Sequence, residues 1–441
     1  MKEHDDETCA HTSYCPYRAE LAPRFIGALT KKTYAMVLAG GRGSRLQQMT
    51  DWRAKPAVPF GGKLRIIDFP LSNCINSGIR RIGVATQYMA HSLIHHIQRG
   101  WSFLDDQFNE FIDVLPAQQR VKEGWYEGTA NAVFQNLDIL RSCAPEYVLI
   151  LCGDHVYKMD YSRILADHVA KAADVTVACI EVPRAEGREF GIIGVDEEGR
   201  VTYFHEKPEH PAAMPGRPDS ALASMGIYVF GARFLYEQLI RDHDDPESGH
   251  DFGKDLIPYL VTRNRVIAHR FADSCVNMVG DVPYWRDVGT VDAYWEANMD
   301  LVQVTPELNL YDDAWPIWTH QKQLPPAKFI FNNDRRRGHA MDSLISSGCI
   351  ISGATIERSL LFLKVYVGDY SLIQDSVILP NVEIGRHVTL KRVVVDKHCK
   401  IPDGFSAGIV PERDKQCFHV TERGITLITP EMLGQTVHRV R

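Results

Sequence analysis

No two cysteines stand in a C-x-x-C spacing, although the chain contains ten. They are scattered, and several sit inside apolar runs such as VLILCGD and VTVACIEV. This excludes the common paired zinc motifs and predicts reduced, mostly buried thiols. Cys9 and Cys15 lie near His4 and His11, but the flanking residues read as a polar terminus rather than a metal cluster. Also missing is any run of ~18 apolar residues, so no membrane span is expected. The opening MKEHDDETCAHTSYC is acidic and has no apolar core, unlike a signal peptide or an Arg-rich transit peptide. A cytoplasmic protein is expected. A basic excess is lacking too: the formal net charge is −7. That argues against a general nucleic-acid binder and leaves room for a local basic pocket.

What is present suits a soluble chain of two or three domains. It has 441 residues, of which 45% are hydrophobic, enough for a sizeable core. Residues 1–32 read as a polar extension. From 33 to 304, apolar runs (AMVLAG, RIGVATQ, YVLILCGD, ADVTVACIEV) alternate with amphipathic stretches (HSLIHHIQRG, TANAVFQNLDILRSC). In the last stretch Ala132, Val133, Asn136, Leu137 and Leu140 share one helical face. This alternation predicts an α/β domain with a Rossmann-like, mostly parallel sheet covered on both sides. EGRVTYFHEKPEH reads as an inserted β-hairpin. Residues 305–340 are rich in Pro and Trp and read as a linker, with DRRRGHA as an exposed loop. From 341 to 441 a six-residue period appears. Leu344, Ile350, Ile356 and Phe362 carry it, then Val367, Ile373 and Leu379, then Ile384 and Leu390. Hexads of this kind mark a parallel β-helix, expected to be left-handed.

The first apolar run breaks into LAGGRGSRL. A dinucleotide fingerprint needs a third glycine where Leu46 stands, and a Walker loop needs a G-K-[ST] ending that is absent. What remains is a glycine turn carrying Arg42 and Arg45, with Lys55-Pro56 ten residues on. Backbone N–H groups at such a turn approach phosphate closely, and three cations suit a triphosphate whose pyrophosphate must leave. In YVLILCGDHVY, Asp154 ends an apolar strand, where parallel sheets bind ligands. On spacing alone, helix capping explains it equally well. Asp287, in WRDVGT, is a second carboxylate, and two such groups suit a shared Mg²⁺. Glu206-Lys207 on the hairpin would ordinarily be plain surface. Gln87 and Gln119 are further candidates, since a side-chain amide both donates and accepts.

LAGGRGSRL followed by RAKPAVPFGGKLRIIDF resembles the opening motif of the sugar-phosphate nucleotidylyltransferases. SNCINSGIRRIGVATQY, LPAQQR, WYEGTANAV, CGDHVYKMDY, HDFGKDLIP, PYWRDVGT and LPPAKF continue the likeness, which is closest to the bacterial glucose-1-phosphate adenylyltransferases. The resemblance implies that ATP and glucose 1-phosphate give ADP-glucose and pyrophosphate, the committed step of bacterial glycogen synthesis. It implies Asp154 and Asp287 as Mg²⁺ ligands. It also implies Glu206 at the sugar hydroxyls, Lys207 at the sugar phosphate, and Tyr126, Gly191 and Ser224 lining the nucleotide-sugar pocket. A homotetramer is expected, with small phosphorylated or carboxylate effectors bound between the two domains.

Arg53 and Arg65 match AMP-contacting positions of the enteric form of that family. Trp52 and Pro59 stand where that form has a Lys and a His, and Pro430 and Gly434 where its tail has arginines. These departures argue against a fructose 1,6-bisphosphate site and point to fructose 6-phosphate or pyruvate as activator, with AMP or phosphate inhibiting. Rival readings are the same fold using UTP or dTTP, an acyltransferase with His387 or His398 as base, and a non-catalytic regulatory subunit. Retention of Arg42, Lys55, Asp154, Lys207 and Asp287 argues against the last.

Overall fold

The computed structural model describes residues 23–41, 43–117, 125–276, 278–279, 282–333 and 336–436. The candidate residues Arg42 and Gln119, and the Cys9/Cys15 terminus, lie outside them.

The apolar runs form the strands expected of them. β1 (Thr33–Leu38), β2 (Arg81–Thr86), β3 (Phe111–Pro116) and β4 (Tyr147–Cys152) are parallel, in the order β4-β1-β2-β3. β1 alternates between two cores: Ala35 and Val37 pack on one face of the sheet, Tyr34 and Met36 on the other. Burial on both faces is why the strand reads as a continuous apolar run. β5 (Val175–Pro183), the hairpin β6 (Gly191–Val195) and β7 (Val201–Glu206), the long β8 (Ser220–Gly231) and β9 (Val266–Arg270) complete nine strands. β8 runs antiparallel to β4 and β5, so the sheet is parallel where it carries the site and mixed beyond it. The hairpin read in EGRVTYFHEKPEH is present.

Three expectations are corrected here. The polar extension ends earlier than residue 32: Pro23–Lys31 is a helix whose Phe25, Ile26 and Leu29 pack on the core. TANAVFQNLDILRSC forms two helices, Thr129–Phe134 and Leu137–Ser142, not one. Asn136 leaves the helical region (φ −110°, ψ 16°) while its side chain donates to the Ala132 carbonyl at 2.8 Å, a local bond that competes with the helix. The predicted apolar face is still buried throughout. The linker is also shorter than expected, because Lys328–Ile330 and His339–Met341 already pair with the coils that follow.

The C-terminal domain winds three parallel ladders into a β-helix. Equivalent residues recur every 17, as in Thr355, Leu372 and Thr389. Ile356, Phe362, Val367, Ile373, Leu379, Ile384 and Leu390 are buried as the hexads predict. Ile350 is not; Ile351 takes the inward place. The coil that starts at Ile350 is one residue short, with Ile351 paired to Val367 only 16 residues on, so the hexad count slips there. Corners are turned by left-handed residues at the same repeat: Tyr370, His387 and Gly404 (φ +61°, +56° and +72°). His387 and His398 are both such corner residues. His387 also stacks on Tyr370 at 4.9 Å.

The two domains share one core. Leu46, Met49, Val58 and Phe60 pack in the same cluster as Leu360, Phe362, Leu379 and Leu427. The helix Val291–Asp300 sits at this boundary: Trp295 Nε1 donates to the Asp375 carbonyl at 2.8 Å, and Asp292 accepts from the Thr421 hydroxyl at 2.6 Å.

Candidate active site

A cleft of about 480 Å³ opens beyond the carboxyl ends of β1, β2 and β4, where the strand order reverses. Gly40, Gly41 and Gly43 follow β1 along its rim. Gly43 is at φ +67°, and a Cβ there would stand 2.9 Å from Cβ of Lys55, so glycine is what lets the two segments close.

Asp154 follows β4 after Gly153. Asp287 reaches it from far along the chain because Trp285–Asp287 pairs antiparallel with His155–Tyr157, placing Asp287 opposite His155. Lys55 lies between the carboxylates: its Nζ is 3.0 Å from Asp154 Oδ2 and 2.6 Å from Asp287 Oδ1. Arg45 reaches Asp287 at 3.2 Å and Glu189 at 2.6 Å from a half-exposed position on the rim. Burial works against the charge on Asp154, yet the Lys55 ammonium, and next His155, hold its carboxyl far below the usual range. Asp287 is lowered as well. Burial opposes this, Lys55 and His155 outweigh it, and Asp154 works the other way. Lys55 is raised despite its burial, because both carboxylates favour its charge.

The donor set fits a hard divalent cation: two ionised carboxylates meet at the Lys55 ammonium, Asp154 on the cleft wall, with His155 3.6 Å from Asp154. Cys152, Asp154 and His155 also bring donor atoms within 4.8 Å of one another. Burial pushes the Cys152 thiol well up, so Cys152 stays a neutral wall of the cleft.

Gln87 and Tyr126 line the cleft, with Gln87 Nε2 donating to the Tyr126 carbonyl at 3.4 Å. Gly191 and Glu206 face each other across the β6–β7 hairpin. A Cβ on Gly253 would meet Glu206 at 2.9 Å and Asp251 at 3.5 Å, so Glu206 approaches the cleft behind Asp251. Burial raises the Glu206 carboxyl, against the opposing charge of Lys207. Lys207 is exposed and held at φ +47°. Ser224 accepts from the Gly226 N–H at 3.3 Å, and Gly226 in turn accepts from the Cys152 thiol.

Sequence reasoning assigned no role to Asp251, Thr129 or Glu189. Asp251 and Thr129 line the cleft and bond to each other at 2.9 Å. Asp251 also accepts from the N–H groups of Gly253 and Lys254. The signal was an Asp-x-Gly-Lys cap inside HDFGKDLIP, which announces a helix start as readily as a site.

A family model described as nucleotidyl transferase matches residues 34–304, and one described as GlmU-like, C-terminal hexapeptide, matches 325–428. The chain is 69% identical to a glucose-1-phosphate adenylyltransferase of Nitrosospira multiformis, over 95% of this chain and 98% of that protein. It is 68% identical to the one from Nitrosomonas europaea, over 95% and 97%, and 66% identical to that of Methylobacillus flagellatus, over 95% and 98%. The chain belongs to the glucose-1-phosphate adenylyltransferase family.

In this adenylyltransferase-family chain the two candidate effector arginines lie away from the cleft, at a cavity of about 150 Å³ between the domains. Arg65 and Lys322 stand on its wall with Arg53, Lys63 and His96. Burial brings the Arg65 guanidinium down to about 10, against the pull of Asp68. Lys322 is also lowered, first by burial and then by Arg65 and Lys364. Asp68 braces the wall from behind, accepting from the Arg65 N–H at 2.8 Å and lying 2.6 Å from His96 Nε2.

Proposed function

We propose that the cleft transfers the adenylyl group of ATP to glucose 1-phosphate, giving ADP-glucose and pyrophosphate. The observation that carries this reading is Lys55 bridging Asp154 and Asp287 at the strand ends. The sugar phosphate is the nucleophile. It is ionised at neutral pH and attacks the α-phosphorus in line, so no general base is required. Catalysis consists of positioning and charge neutralisation. Arg45 and Lys55, with Arg42 on the same glycine turn, neutralise the departing pyrophosphate. Gln87 and Gln119 take the adenine edge. Glu206 orients the sugar hydroxyls and Lys207 holds its phosphate, with Tyr126, Gly191 and Ser224 shaping the pocket. Asp154 and Asp287 would hold Mg²⁺, which when bound supplies Lewis-acid polarisation of the phosphate oxygens.

The reaction belongs in the cytoplasm, as the committed step of glycogen synthesis. The chain works as a homotetramer under allosteric control. The cationic wall of the interdomain cavity supports a small anionic effector held by Arg65 and Arg53. Fructose 6-phosphate or pyruvate is the activator expected, with AMP or phosphate inhibiting. In place of a cation, Trp52 uses its Nε1 to donate to Glu431 at 3.0 Å. The test is pyrophosphate release with Mg²⁺ and glucose 1-phosphate, run with ATP, UTP and dTTP, each with and without glycolytic intermediates. Release with ATP, raised by one of those two activators, is expected. Preference for UTP or dTTP overturns the substrate assignment, and fructose 1,6-bisphosphate as strongest activator overturns the effector assignment.

A further inference from the structure

Arg53 and Lys55 are two residues apart, yet they serve different domains. Lys55 enters the cleft, while Arg53 crosses into the β-helix and meets Asp396. Both partners of that pair are buried, at 1% and 2% exposure. Asp396 follows the strand Val393–Val395 and is fixed by its own backbone: its N–H donates to the Ile428 carbonyl at 2.8 Å. Its carboxylate also accepts from the Lys397 N–H at 2.7 Å.

The pairing is incomplete in a specific way. A single nitrogen, Arg53 Nη2, makes both contacts to Asp396, at 2.6 and 2.5 Å. Among the described residues, Nε and Nη1 of the same buried guanidinium find no hydrogen-bond partner. A guanidinium ordinarily engages a carboxylate through two nitrogens in a fork, and unmade bonds on a buried charge are costly. Arg53 also lines the interdomain cavity, and no carboxylate stands among that cavity's lining residues. Asp396 is therefore an anion already present on the cavity's most buried cation.

We propose that Asp396 is a positioning residue for Lys55, acting through Arg53, and the internal competitor of any anion that enters the cavity. The chain of contact is short: Asp396 holds Arg53, and Ala54 alone separates Arg53 from the catalytic ammonium. An incoming anion takes the free N–H groups of Arg53, weakens the hold of Asp396, and so shifts the segment that presents Lys55. This rests on reading the cavity as an anion site.

The test is calorimetric titration of the full chain with inorganic phosphate, with Arg65→Gln locating the binding at the cavity. Asp396→Asn removes the competitor and keeps the shape. Its phosphate affinity is expected to rise about tenfold or more, since charge-assisted bonds to Arg53 become available. Its kcat without effector is expected to fall about tenfold while the KM values for ATP and glucose 1-phosphate move less than about twofold, as for an interaction felt only in the transition state. The double variant Arg53→Met/Asp396→Leu replaces the pair by apolar groups, an exchange that buried ion pairs tolerate. It is expected to bind phosphate more weakly than the wild type, which keeps the proposal open to refutation if Asp396→Asn does not fold. Unchanged or weaker phosphate binding by Asp396→Asn overturns the proposal while leaving the anion site standing. So does wild-type affinity in the double variant. No phosphate binding that depends on Arg65 in any form overturns the anion site and the proposal together.

Discussion

Lys55 and Arg53 make an instructive pair. Both are buried cations on one short segment and both are matched by aspartate, yet they are built for different ends. Lys55 has two carboxylates and itself lines a cleft open to ligands, where a reacting phosphate can share its charge. Arg53 has one, on the wall of the small cavity between the domains. The difference is one of use: charge at the open cleft is available for chemistry, whereas the more deeply buried charge between the domains fixes the backbone that carries its neighbour.

Breaking the catalytic side should have the largest effect. Lys55→Gln is expected to lower kcat by about 10²–10³, as for loss of one preorganised charge on the leaving group, with little change in KM. Steady-state kinetics at saturating Mg²⁺ check this. Breaking the interdomain pair should act on stability first. Arg53→Gln leaves Asp396 buried without its counter-ion, a change worth about 3–5 kcal/mol, which thermal or denaturant unfolding would register. Its loss of turnover should be smaller than that of Lys55→Gln. An Arg53→Gln protein as stable as the wild type would show that Asp396 has another partner.

Gly43→Ala strikes between the two. At φ +67° and 2.9 Å from Lys55 Cβ, the added methyl must push the Lys55 segment aside. A fall of about tenfold in kcat is expected, the scale of displacing a catalytic group without removing it. Unchanged kinetics would mean that the glycine turn does not set the place of Lys55.

The smallest expected effect is a pH dependence. Asp154 and Asp287 are held below the ordinary carboxylate range, so what their pairing contributes to stability is fully present above that range and is lost as pH falls beneath it. Glu206 is shifted the other way and takes up its proton first on acidification. KM for glucose 1-phosphate should therefore rise a few-fold before kcat falls, on the scale of one hydrogen bond to a charged group. Profiles in which kcat falls first would place the titrating carboxylate at Asp154 or Asp287 instead.

The strand ends that build the cleft were legible in the sequence because their signals are local. A buried strand ending in glycines, and another ending in Gly153-Asp154, declare themselves by composition alone. The hexads were legible for the same reason, except where a 16-residue coil moved Ile350 outward. Asp251 was hidden by a double use, as helix cap and cleft wall. The partner of Arg53 was hidden by distance. Asp396 follows three valines with nothing nearby to mark it, and only the docking of the β-helix brings it to within 2.5 Å of the guanidinium. Contacts between domains leave no periodicity to read.

The most direct measurement is the Mg²⁺ dependence of pyrophosphate release by Asp287→Asn and the wild type, at saturating ATP and glucose 1-phosphate. If Lys55, Asp154 and Asp287 form one catalytic centre, the variant should turn over at least about 10²-fold more slowly and need about tenfold more Mg²⁺. A variant within twofold of the wild-type rate at the same Mg²⁺ would contradict the account.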